Sequence, residues 1–253
     1  MARARLAAGL VLLAAALWLV VGHGLVNYDT LYTLVWGRDL AHGILPDYDI
    51  ALAPTPHPLA TLLGVVLTPL SDASSGGVHG QAATSAILVV AFLALAALGW
   101  VVYALGAAWF HPAVGVLAAA ILLTRRPVLD FGARAYVDIP YLVLVLGALL
   151  VETRRPRAGA PVLVLLALAG LIRPEAWLFS AAYVVWLREW RLLPLAAAGP
   201  LLWALGDLAV TGDPLHSLTG TRDNAEALQR VTGLGEVPLT VPRRIGEILR
   251  EPV

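Results

Sequence analysis

From Gln81 to Leu105 no residue carries a charge. A helix needs about 20 consecutive apolar residues to cross a bilayer, and this run exceeds that. In hydrocarbon, backbone N–H and C=O groups find partners only within a helix or a closed barrel. The run therefore makes the chain an integral membrane protein built on helices. Further apolar runs occupy 6–21, 113–124, 139–151, 160–172, 176–187 and 192–210. They leave 13% charged residues beside 59% hydrophobic ones, whereas soluble domains carry about 25% charged. The expected fold is all-α: about seven transmembrane helices, one re-entrant or interfacial helix, and a large first extracytoplasmic loop.

Arginines set the orientation. Two stand at the start of the chain, three in 152–159 (ETRRPRAG), and Arg188 and Arg191 follow the 176–187 run. Cytoplasmic loops collect such residues, so the N-terminus is placed inside, with 6–21 as an uncleaved first span. The 160–172 and 176–187 runs are read as two short spans with Arg173-Pro174-Glu175 outside. One long helix would instead put Arg173 mid-bilayer, at about 2.5–3.5 kcal/mol on insertion scales. Residues 1–210 then form the membrane domain, with 27–80 as its first outer loop. Residues 211–253 form an extracytoplasmic tail, read as the start of a truncated further region. All 17 basic residues are Arg, a bias that suits a GC-rich bacterial genome and a bacterial plasma membrane. There is no Cys, which excludes disulfides and a cysteine nucleophile, and the net charge of +0 gives no basic surface for nucleic acid.

The outer segments hold the chemistry. In 27–58, Leu31, Leu34, Val35 and Leu40 fall at roughly helical spacing, which predicts a helix over 29–42 lying in the membrane interface. Gly43 is placed to end it, and Pro46 forbids its continuation. The 57–70 run is apolar but too short to span, and reads as the re-entrant or interfacial helix; 71–80 reads as a flexible link.

Asp29 and Asp138 each stand at the outer end of a span, where hydrocarbon meets water. Acids in such places suit proton transfer, and equally suit the first turn of a helix. Arg134, with Arg125 and Arg126, lies outside against the positive-inside bias and suits a phosphate partner, since the guanidinium fork matches phosphate. Contacts with lipid headgroups and pairing with Asp130 are the alternative. Arg173 with Glu175 has the same two readings. His57 is read as an interfacial hydrogen-bonding group; a divalent cation shared with Asp47 or Asp49 has no supporting ligand spacing. Neither a Gly-rich phosphate loop nor an HExxH motif is present.

The stretch NYDTLYTLVWGRDLAHGILP resembles the outer loop of the GT-C superfamily of membrane glycosyltransferases, above all the protein O-mannosyltransferase and aminoarabinose-transferase branch. There an acid near the end of the first span is followed by a Tyr, a short run, and then Gly and Pro. Asp29, Tyr32, Gly37-Arg38-Asp39-Leu40, Gly43 and Pro46 line up with this, PTPHPLATLL with the Pro-rich start of the next helix, and ARAYVDIPYL with a second acid, Asp138. Two departures stand out. Asp29-Thr30 replaces a pair of adjacent acids found in many relatives, and His57-Pro58 replaces a Pro-Pro pair.

The resemblance implies transfer of a hexose or pentose from a polyprenyl-phosphate-linked donor to a hydroxyl of a glycan, lipid or protein acceptor, on the extracytoplasmic face and without a cofactor. It makes Asp29 the base, with Asp138 as second catalytic acid. Arg134 and Arg173 would attend the leaving phosphate, and Glu175, His57 and Tyr32 would complete the substrate site. The alternatives are a small-molecule transporter and a non-catalytic scaffold related to these enzymes. Transporters put ionisable residues near the midplane of repeated halves; here the charges gather at outer helix ends and no repeat is visible.

Overall fold

A computed structural model describes residues 2–50, 53–73, 81–227 and 237–250, and all regular structure among them is helical. The link expected at 71–80 lies largely outside the described residues. In order, α1 is Ala2–Val21, α2 Tyr28–Ala41, α3 Pro58–Asp72, α4 Gln81–Trp109, α5 Pro112–Leu123 and α6 Arg126–Ala133. Then come α7 Asp138–Arg154, α8 Ala160–Gly170, α9 Glu175–Leu187, a 3-10 turn at Trp190–Leu192, α10 Leu193–Ala196, α11 Ala198–Thr211, α12 His216–Ala227 and α13 Val237–Arg250.

The central α4 has 29 residues, which at 1.5 Å each is about 43 Å. The helix continues four residues past the uncharged run's end at Leu105, to Trp109. Phe92, Leu95, Ala96 and Leu98 of α4 are buried against Ala14 and Leu17 of α1, Leu129 and Ala133 of α6 and Ile139 of α7. His111 caps α5, its Nδ1 accepting from Ala113 N at 3.2 Å. Gly106 and Gly115 let α5 fold back so closely on α4 that a Cβ on Gly115 would collide with the Tyr103 carbonyl. Small residues at helix contacts are the usual device where apolar surface alone gives no drive to pack.

By length and composition, Arg3–Val21, Gln81–Trp109 and Trp190–Thr211 can each cross a membrane. Arg126–Ala133 and Asp138–Arg154 pass the same test only together, with a 110° bend between them. Pro58–Asp72, Pro112–Leu123, Ala160–Gly170 and Glu175–Leu187 are apolar but shorter.

The helix expected over 29–42 forms as α2, and Gly43 ends it at φ +72°. Its buried face differs from the expected one. Leu31, Val35 and Leu40 are exposed, while Thr30, Thr33, Leu34, Trp36 and Gly37 are buried. The reason is α3. The two helices run parallel, with Thr33 and Gly37 against Gly64, Leu34 beside Leu67, and Arg38 and His42 both paired with Asp72 at 2.7 and 3.1 Å. A Cβ on Gly37 would strike the Gly64 backbone, so the backbones touch. The chain returns between them past Pro46, pinned where Trp36 Nε1 donates to the Asp47 carbonyl at 3.2 Å.

The tail beyond Thr211 is largely helical in its described part. Buried Asp207 of α11 accepts from Ser217 N and Oγ, at 2.9 and 2.6 Å, which fixes the start of α12. Tyr48 stacks on His216, with ring centroids 6.2 Å apart, so α12 also meets the loop between α2 and α3.

Candidate active site: four helix starts in a ring

The first turns of α2, α3, α7 and α9 are stitched together by hydrogen bonds. Asn27 caps α2, its Oδ1 accepting from Thr30 N at 3.0 Å. Its backbone N and Nδ2 both donate to the Arg134 carbonyl at 2.9 Å, and Thr30 Oγ1 donates to the Ala135 carbonyl at 2.7 Å. These bonds hold the start of α2 to the turn before α7. Ala135 makes that turn at φ +53°.

On the other side, Leu59 N donates to the Leu171 carbonyl at 3.0 Å, and His57 Nδ1 donates to the Ile172 carbonyl at 2.7 Å. A carbonyl only accepts, so Nδ1 carries the proton and Nε2 keeps a free lone pair. Pro58 at the first position of α3 suits a helix start. Arg173, one residue beyond Ile172, closes the ring with an ion pair to Asp138 and a second contact, 3.4 Å, to Glu175. Its guanidinium lies 5.9 Å from the Tyr141 ring.

Four positive helix ends thus point into one region, and three first-turn acids, Asp29, Asp138 and Glu175, answer them. Asp138 and Glu175 are engaged by Arg173. Asp29 is half-buried and in no ion pair among the described residues. Burial holds His57 below the usual histidine range; the Arg173 charge adds to this, while the Ile172 carbonyl and the charges of Asp29 and Asp138 oppose it. His57 is therefore a neutral acceptor at neutral pH. Two buried donors near it have no partner among the described residues: Thr61 Oγ1, one turn along α3, and Nε1 of Trp203, whose ring meets His57 edge-on at 6.4 Å.

Beside this ring lies an apolar groove of ≈ 520 Å³ between α3, α4 and α7. Leu63, Val66, Val90 and Val143 line its length, and Thr30, Tyr136 and Ile172 lie along it next to the ring. Arg134 is exposed, stands 5.7 Å from the Tyr136 ring, and has no carboxylate partner among the described residues. Tyr32 is half-buried in an aromatic row along α2, 4.8 Å from Tyr28 and 5.1 Å from Trp36.

Of the residues singled out from sequence, Asp138, Arg173 and Glu175 form one cluster, and His57 feels the charges of Asp29, Asp138 and Arg173. Arg134 joins through its carbonyl, while its side chain turns to Tyr136. Arg173 differs from the expected free phosphate ligand, because two carboxylates already occupy its fork. Asp49 faces His216 at 3.7 Å, and no group of three or more His, Asp or Glu among the described residues is placed to hold a metal. Sequence reading passed over Asn27 and Thr30, although Asn ahead of a helical run is a recognisable N-cap signal. Trp203 and Thr61 carried no signal at all. Comparison with protein-family models, curated proteins and solved structures yields no match.

Proposed function

We propose that the chain is a membrane glycosyltransferase that moves a sugar from a polyprenyl-phosphate donor to an acceptor hydroxyl on the extracytoplasmic face. One juxtaposition carries this reading: Asp29 and Arg134, in no ion pair among the described residues, flank the ring beside an apolar groove of ≈ 520 Å³. The prenyl chain lies along the groove, with its phosphate toward Arg134 and the positive ends of the four helices, whose dipoles favour an anion. The acceptor oxygen attacks the anomeric carbon as the bond from that carbon to the phosphate oxygen breaks. Asp29 takes the acceptor's proton, and the lipid phosphate leaves against Arg134.

Asp138, already paired, acts as a positioning residue: it holds Arg173 across the ring. The row Tyr28–Tyr32–Trp36 offers ring faces to the sugar. Seven crossings accompany this reading, with the N-terminus and 155–159 inside and α2, α3 and α6 along the outer surface. The short α8 and α9 rise about 17 and 20 Å, which a bilayer accommodates by local thinning. The test is release of polyprenyl phosphate, with sugar appearing on an acceptor, from protein reconstituted with a polyprenyl-phosphate sugar. A protein that does neither, across hexose and pentose donors, sinks the proposal.

A further inference from the structure

A second cleft lies at the other end of α4, away from the ring. Gly9 and Leu13 of α1, Gly99, Trp100 and Tyr103 of α4, and Ala120 of α5 enclose ≈ 430 Å³, with Arg5 at its edge. A Cβ on Gly9 would meet nothing within 4 Å, so the cleft is open where α1 passes it. One turn of helix, about 10–12 Å wide and 5.4 Å tall, occupies roughly 500 Å³. The cleft thus holds less than one embedded turn of helix, and its volume suits a slender hydrocarbon chain.

Charge says what the chain is attached to. Arg154 at the end of α7, outside the cleft's own lining, stands 5.8 Å from the Trp100 ring that walls it. Neither Arg5 nor Arg154 has a carboxylate partner among the described residues. The helices α1, α4 and α5 carry no acid. Glu152, the only acid between Asp138 and Glu175, accepts from Arg157 N, Ala158 N and the Tyr183 hydroxyl. The cleft that runs along the other half of α1 past Trp18 and Phe92 has no cation in its lining.

We propose that this cleft seats one acyl chain of an anionic phospholipid from the leaflet the N-terminus faces, with the headgroup phosphate between Arg5 and Arg154. The lipid is a structural ligand independent of the glycosyl-transfer site, and it completes the packing of α1, only 11% of which is buried in the protein. Guanidinium matches phosphate, and Trp100 with Tyr103 supplies the aromatic belt that such a depth favours.

The test compares thermal unfolding of the full chain in detergent with added phosphatidylglycerol or phosphatidylcholine of identical acyl chains. Phosphatidylglycerol is expected to raise the midpoint by several degrees more. The Arg5→Gln, Arg154→Gln double variant should lose that difference while keeping the phosphatidylcholine midpoint. Gly9→Leu, a better helix former that fills the cleft, should lose it too and unfold no earlier than wild type. Equal shifts with both lipids in wild type overturn the proposal, as does a preference that survives both variants. A Gly9→Leu protein that changes oligomeric state without changing lipid preference overturns it as well, in favour of a second copy on this face.

Discussion

Asp138 and Arg173, 35 positions apart in the chain, meet as an ion pair across the starts of α7 and α9. The pair ties the turn between α8 and α9 to the bend of the α6–α7 unit. It also separates the two acids that looked alike in sequence, because Asp138 is committed to a cation and Asp29 is not.

Asn substitutions should therefore split the two. Asp29→Asn should lower sugar transfer by about 10²–10⁴-fold, the usual worth of a general base, at unchanged thermal midpoint, since Asn caps and lines helix starts as well as Asp. Asp138→Asn should do the reverse in part, costing of order 1 kcal/mol of stability for a pair this accessible and lowering transfer less. Transfer assays and melting curves on both proteins check this. An active Asp29→Asn enzyme would leave the base unassigned.

Arg134→Lys should weaken donor use, read as a raised KM for the polyprenyl-phosphate sugar, because Lys lacks the planar fork that matches phosphate and stacks on Tyr136. Arg134→Gln should weaken it further. Neither should move the melting point much, since the structural contact of residue 134 is made by its carbonyl. A donor KM unchanged in Arg134→Lys would assign the side chain to headgroup contacts.

Burial lowers the folded pKa of His57 below its unfolded value of 6.5. Below that value the unfolded chain binds a proton that the folded one refuses. The contribution is thus fully present above about pH 6.5 and is lost as pH falls toward the folded pKa, at most about 1.4 kcal/mol per unit. His57→Gln should flatten the stability–pH curve in that window, as measured by denaturation between pH 7 and 5. A slope as steep as wild type's would place the titration elsewhere.

Thr61 Oγ1 is buried without a partner among the described residues. A buried, unsatisfied hydroxyl costs about 1–3 kcal/mol. Thr61→Val keeps the shape and removes the oxygen, so the protein should melt later. If it melts later but transfers sugar more slowly, the hydroxyl meets substrate.

The chain has no Cys, so single cysteines report topology cleanly. Thr219 and Pro156 are both exposed. In intact cells, Thr219→Cys should react with an impermeant maleimide and Pro156→Cys should not. The opposite pattern would invert the orientation and move the ring to the cytoplasm.

Sequence reading reached what local rules determine. Gly43 ended a helix because a positive φ was needed there, Pro58 began one, and the acids at 29, 138 and 175 fell in first turns where helix dipoles favour them. Partners were harder. The ring is closed largely by the carbonyls of Arg134, Ala135 and Ile172, and a carbonyl has no sequence signature. The buried face of α2 was misjudged because Gly37 and Gly64 look ordinary until they meet. Leu31 and Val35 were then free to face outward, which a membrane surface tolerates and a soluble core would not.

The contact of Gly37 with Gly64 turns α2 and α3 into a single stiff lever. Backbones that touch along parallel axes cannot slide past one another without side chains colliding, so the two helices travel together. Their starts hold Asp29 and His57, and their far ends, about 20 Å away, are clasped by Arg38, His42 and Asp72. One wall of the groove is α3, so a movement of that wall would swing this lever and carry Asp29 with it. A push applied at the clasp would reach the ring of helix starts by the same motion.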